Sequence, residues 1–254
     1  MNTLSTIKSN IYNKRTVATI PPTDSLIVWY KFNTIDVSNG GTSLFNYANS
    51  TYDTLTTGAD MIVANTATPK NGTGSFYKLS SGAGSVSRVE GVISSVMTST
   101  QPLTIAFWYK ALAMNPAFSP VFQSRFGTTN QHLTSFRING LGTSFAVQFN
   151  SSGGSFVPTA LPSGITNVND TVNWYYVAFV MSGTTITFYI NNQQAGTPVS
   201  YTSFVAGTYN QTSVGVDWNN VDNAGGAKFE LDDLRCYTRV LTTAELTLLY
   251  NYGS

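Results

Sequence analysis

Three carboxylates stand within four consecutive residues, Glu230, Asp232 and Asp233 around Leu231, and such a cluster is where acid–base chemistry is first sought. A retaining glycosidase needs two carboxyl groups about 5–5.5 Å apart across the scissile bond. Residues i and i+2 of a strand share a face at roughly 7 Å, so Glu230 and Asp232 are neighbours. Leu234 and Arg235 come next, and Glu90 and Glu245 belong to other segments, which counts against catalysis. Strand alternation puts Phe229, Leu231, Asp233, Arg235 and Tyr237 on one face and Glu230, Asp232, Leu234 and Cys236 on the other. Asp233 and Arg235 are thereby expected to form an ion pair that pins the last strand to the core.

Other chemistries have fewer residues to draw on. His132 is the sole histidine, expected in a solvated loop, and no serine lies in a G-x-S-x-G elbow, so a hydrolase triad lacks support. There is no G-x-x-x-x-G-K-[ST] phosphate loop. Cys236 is the only cysteine, which excludes an intrachain disulfide and a thiolate metal cluster. Calcium has four candidate ligands, because a hard cation takes carboxylate and carbonyl oxygens. They are Asp232, Asp36 in the loop after the first strand, and Asp217 and Asp222 of the run Asp217-Trp218-Asn219-Asn220-Val221-Asp222. The same run also fits a turn whose Asx side chains bond their own backbone. Trp218 and Tyr209 fall in expected loops, where a ring beside Asn219 and Asn220 can stack on a sugar while the amides bond its hydroxyls. The alternative is an aromatic plug at the rim of the fold.

The elements that position these residues are strands. Ser25–Asn33, Leu103–Lys110, Pro120–Arg125 and Trp174–Met181 are rich in aromatic and β-branched residues, with shorter strands at Met61–Val63 and Ser75–Leu79 around a Pro69–Gly74 turn. Asn139-Gly140 joins Thr134–Ile138 to Ser144–Phe149 as a hairpin, and Ser182-Gly183 joins Trp174–Met181 to Thr184–Ile190. Only the end reads as helix. Thr242 and Glu245 form a capping box, with Leu241 and Leu246 as its staple. Residues 1–22 read as a polar arm closed by Pro21-Pro22, and 23–254 as one domain.

In order, Val28-Trp29-Tyr30-Lys31-Phe32, Thr104–Lys110, Trp174–Phe179, Phe188–Asn192 and Leu231–Arg235 with the Leu241–Glu245 turn resemble the laminin-G-like, concanavalin A-like lectin/glucanase superfamily. The resemblance spans about residues 25–250. It departs at Asn192, where glycine is usual, although asparagine tolerates a left-handed turn. It implies an all-β, antiparallel jelly-roll β-sandwich with a short C-terminal helix, commonly a carbohydrate- or protein-binding module, sometimes with calcium. Some members are glucanases, which carry Glu-x-Asp followed by a second Glu; here the second Glu is replaced.

Charged residues make up 10% of the chain and the net charge is +1, so no field recruits nucleic acid or an anionic membrane. No apolar run reaches the roughly 18 residues of a membrane span, and the start lacks an ordinary signal-peptide core. Five N-x-S/T sequons, at Asn49, Asn71, Asn150, Asn169 and Asn210, are about what the Asn, Ser and Thr content gives by chance. The expected function is a non-catalytic recognition module for glycan or a protein surface, on a virion or extracellular surface. A capsid-type assembly protein, forming homo- or hetero-oligomers through residues 1–22, is the alternative, and a glucanase-like enzyme the third reading.

Overall fold

The computed structural model describes residues 21–56, 61–78, 88–89, 102–113, 119–126, 131–138, 144–148, 156–200, 211–214 and 228–252. Nearly all regular structure among them is strand. The first half holds β1 (Leu26–Tyr30), β2 (Val37–Ser38), β3 (Ser43–Asn46), β4 (Thr51–Thr56), β5 (Met61–Asn65), β6 (Ser75–Lys78), β7 (Arg88–Val89), β8 (Leu103–Ala111) and β9 (Ser119–Phe126). Then come β10 (Gln131–Ile138), β11 (Ser144–Gln148), β12 (Phe156–Ala160), β13 (Tyr175–Ser182), β14 (Thr185–Ile190), β15 (Gln193–Ser200), β16 (Gln211–Val214) and β17 (Phe229–Tyr237). A single α-helix among the described residues, α1, spans Thr243–Tyr252.

The strands form an eight-stranded sheet in the order β15-β14-β13-β8-β17-β6-β5, with β1 also pairing β17. A five-stranded sheet, β12-β11-β10-β9-β16, and a four-stranded one, β2-β3-β4-β7, complete it. The main core lies on one face of the large sheet. There Ile105, Phe107, Tyr109, Val177, Phe179, Phe188 and Leu231 meet Val121 of β9 and Leu44 of β3. β14 buries alternate residues only, as a one-sided strand must, whereas β8 and β13 are buried along nearly their whole length. Their second face, with Ala106, Trp108, Tyr176 and Ala178, is covered by Leu246 and Leu249 of α1. Aromatic runs in central strands follow from this double cover.

The local signals hold where geometry is local. Asn191 and Asn192 take φ of +48° and +63° in the two-residue turn that pairs Ile190 with Gln193, the left-handed pair that such a hairpin requires. The β13–β14 turn sits one residue later than expected, at Gly183-Thr184, since Ser182 pairs with Thr185. His132 belongs to β10, not to a loop.

The cap of α1 is as expected. Glu245 N–H donates to Thr242 Oγ1 at 3.3 Å, Thr242 N–H donates to Glu245 Oε2 at 2.8 Å, and Leu241 and Leu246 are both buried. Arg239 adds a clamp, donating to Glu245 Oε1 at 2.6 Å and pairing with Asp24 at 2.7 Å. Thr242→Ala is expected to lower stability by about 1 kcal/mol, read from a urea midpoint. The Arg239 guanidinium, with the Thr242 donors, holds the Glu245 pKa down from 4.5 to about 2. A depressed carboxylate pKa gives stability that is present above the unfolded value and lost as pH falls through the folded one. The Glu245 contribution is therefore expected to disappear between about pH 4.5 and pH 2, and Glu245→Gln to flatten that limb of the stability–pH curve.

One expectation about β17 is corrected. Its pairing with β8 shifts register between Asp232 and Arg235, and Asp233 sits at φ +50°, the signature of a β-bulge. Alternation therefore flips there. Leu234 and Cys236 join Phe229 and Leu231 in the main core. Arg235 lies opposite Ala106, on the helix-covered face with Tyr237.

Candidate functional site

The outer face of β17 collects Glu230, Asp232, Asp233 and Arg235, with relative exposures of 0%, 0%, 4% and 2%. Charges so deeply buried must be paired or hydrogen-bonded. Glu230 accepts from Asn65 Nδ2 (2.7 Å), Thr68 Oγ1 (2.7 and 2.8 Å) and Ser75 Oγ (3.1 Å), with Lys110 Nζ at 3.8 Å. Asp232 Oδ2 accepts the backbone N–H groups of Lys70 (3.0 Å) and Asn71 (2.8 Å), and its Oδ1 that of Asp233 (2.7 Å). Burial pushes the Asp232 pKa up to about 8, against the pull of those N–H groups and with a push from Asp233. Asp233 Oδ1 accepts Trp29 Nε1–H at 2.6 Å, and its Oδ2 lies 3.0 Å from Arg235. The expected Asp233–Arg235 pair is present.

Beside the bulge a cavity of about 300 Å³ opens, walled by Lys31, Asn33, Asn71 and Gly72 and closed by Asp232, Asp233 and Tyr252. Three segments join the β17 bulge to build it. The first is the exit from β1, where Phe32 is buried at φ +55°. The second is the Pro69–Gly74 turn, in which Gly72 takes φ +60° and a Cβ would land on Asn33 Oδ1. That oxygen accepts Thr73 N–H at 2.7 Å, stitching the turn to the exit from β1. The third is the end of α1, where Tyr252 leaves 52% of its surface exposed. Left-handed backbone at a buried phenylalanine and at an aspartate costs roughly 1–3 kcal/mol each. Both strained residues adjoin or line this cavity, where such strain tends to gather.

Cations stack on rings across this side of the sheet, and Lys31 and Tyr252 among them line the cavity. Lys31 Nζ sits 4.2 Å over Trp29 and 4.0 Å over Tyr47. The Arg235 guanidinium lies 4.3 Å over Trp29 and 4.8 Å over Tyr252. Lys70 Nζ rests 4.2 Å over Trp108, and burial lowers its pKa against the pull of Asp232. The arrangement offers polar groups beside one exposed ring, Tyr252.

Of the carboxylates singled out by sequence, Asp232 and Asp233 line this cavity. Asp36 is buried as an acceptor, taking Asn33 N–H at 2.9 Å and Tyr47 O–H at 2.6 Å. Asp36 and Asp232 both accept from N–H or O–H donors of the fold itself. Among the described residues no group of three His, Cys, Asp or Glu is placed to hold a metal. Tyr209, Asp217, Trp218, Asn219, Asn220 and Asp222 lie outside the described residues, as do residues 1–20 of the arm. The sequence reading missed Lys31, Asn33, Asn71, Gly72 and Tyr252. Gly72 in its turn was the available signal, since a left-handed position beside a packed side chain demands glycine.

Residues 80–247 match the model of the concanavalin A-like lectin/glucanases superfamily. The chain belongs to that superfamily. No curated protein matches it in sequence. Among solved structures, this superfamily member is similar to the binding domain of Paraclostridial Mosquitocidal Protein 1, with TM-score 0.64, 14% identity, and 91% of this chain covering 52% of that one. It is also similar to the binding domain of botulinum neurotoxin DC in complex with SialylT, with TM-score 0.63, 12% identity and coverages of 92% and 52%. Trypanosoma rangeli sialidase in complex with the inhibitor DANA gives TM-score 0.61, 11% identity and coverages of 90% and 33%. The chain thus spans about half of the toxin binding domains and a third of the sialidase. These likenesses concern the fold. No helix among the described residues is long and apolar enough to cross a membrane.

Proposed function

We propose that the chain is a non-catalytic recognition module that binds glycan through the cavity beside the β17 bulge. The observation that carries the reading is that cavity: polar groups from three segments converge beside one exposed ring, on a backbone strained at two points. A preformed pocket of this composition is how orientation and affinity for a small polar ligand are usually combined. Membership of a superfamily that contains lectins, and a fold shared with a toxin binding domain in complex with SialylT, support it.

Catalysis is disfavoured by geometry. Glu230 and Asp232, the same-face pair, spend their oxygens on the fold's own donors at full burial, and Arg235 takes the next outer position. A general acid must reach the leaving oxygen. Incubation with β-glucans is expected to release no sugar; hydrolysis that vanishes in Glu230→Gln would restore the enzyme reading.

The module is read as one part of a virion or cell-surface assembly, facing glycan or a protein surface, with residues 1–22 as the segment for oligomer contacts. A glycan array beside size-exclusion with light scattering tests this. Saturable sugar binding by a monomer supports the module; ligand-silent oligomers that fall apart when residues 1–22 are removed support an assembly protein. Asp36, Asp217, Asp222 and Asp232 stand as the proposed calcium ligands, with Asp217 and Asp222 tested first. Millimolar calcium is expected to leave the melting midpoint of an Asp217→Asn, Asp222→Asn variant unchanged, and a retained shift would place a calcium site elsewhere.

A further inference from the structure

The charge balance of the cavity says more about its ligand. Asp233 is neutralised by Arg235 at 3.0 Å and also takes Trp29 Nε1–H. Asp232 turns both oxygens to three backbone N–H groups. Asp233 is thus ion-paired, and Asp232 has three of its four acceptor positions taken by backbone N–H groups. Lys31 differs: its ammonium is poised on Trp29 and Tyr47, and among the described residues no carboxylate pairs with it. A cation held on two ring faces is fixed in place. Beside it, Tyr252 keeps half its surface exposed while Arg235 backs the ring at 4.8 Å, which leaves an apolar plate next to a positive point.

We infer that the cavity selects acidic glycans, a sugar carboxylate pairing with Lys31 Nζ while the sugar ring packs on Tyr252. This rests on the glycan reading above and narrows it to a ligand class. The ion pair forms at a half-buried site, so it weakens as salt rises. A neutral sugar of the same size gains the ring contact alone.

The test compares 3′-sialyllactose with lactose by isothermal titration calorimetry, for wild type, Lys31→Gln, Lys31→Arg and Tyr252→Ala, each checked for folding by near-UV circular dichroism. Wild type is expected to prefer sialyllactose at least about tenfold, a difference of roughly 1.4 kcal/mol. Lys31→Gln is expected to remove the preference, Lys31→Arg to keep it, and Tyr252→Ala to weaken both sugars. Equal binding of the two sugars by wild type overturns the inference and leaves the glycan reading intact. So does a preference that survives in Lys31→Gln and disappears in Trp218→Ala, since the acidic site then lies elsewhere. If neither these sugars nor an array of neutral and acidic glycans binds, the glycan reading itself fails.

Discussion

Arg235→Met is expected to destabilise the protein by about 3–5 kcal/mol, the usual effect of stranding one member of a buried ion pair. The methionine fills much of the same volume, so the loss is electrostatic more than steric. Asp233, 4% exposed, would keep its charge with only Trp29 Nε1–H at 2.6 Å left to answer it. The guanidinium also bridges two rings, Trp29 at 4.3 Å and Tyr252 at 4.8 Å, so β1, β17 and the end of α1 loosen together. Adding Asp233→Asn should recover a large part of the loss, because both charges are then gone. The midpoint and slope of urea unfolding check this. A single variant within about 0.5 kcal/mol of wild type would mean that the pair is not the fastening described.

Trp108→Ala should cost about as much, roughly 3–5 kcal/mol, through the cavity it leaves. Trp108 is 3% exposed and stands between layers, with Tyr176 at 5.2 Å and Tyr250 of α1 stacked at 5.6 Å. Lys70 Nζ rests on the same ring at 4.2 Å. Removing the indole unseats the helix from the sheet while the opposite core face, with Phe107 and Phe179, stays packed. Hydrogen exchange should then show α1 exchanging well before β8 and β13. Trp108→Phe should be milder, and part of the reason is specific: the indole N–H is buried with no hydrogen-bond partner among the described residues. Deleting an unsatisfied donor relieves a desolvation penalty.

The features legible in the sequence are those whose causes are local. Thr242 and Glu245 lie three residues apart and satisfy each other's backbone. Asn191-Asn192 supplies its own left-handed turn. β14 shows its one-sided burial as plain alternation. The bulge in β17 has no such local cause. Asp233 holds a left-handed backbone because Arg235, two residues on, and Trp29, 204 residues away, both grip its carboxylate. A strict two-residue period therefore assigned Arg235 and Tyr237 to the wrong face. The cavity was hidden for the same reason: Lys31, Asn71 and Asp232 come from segments far apart in the chain and meet only because β1 and β6 flank β17. The carboxylates that first drew notice turned out to serve the frame, and the residues around them form the opening.

The most direct test of the central claim is to take the strongest ligand from a glycan array and titrate it into wild type, Tyr252→Ala and Trp218→Ala. The account predicts that Tyr252→Ala binds roughly tenfold more weakly, about 1.4 kcal/mol, with its melting midpoint little changed, and that Trp218→Ala binds as wild type does. Unchanged affinity in Tyr252→Ala, with binding lost in Trp218→Ala, would contradict it.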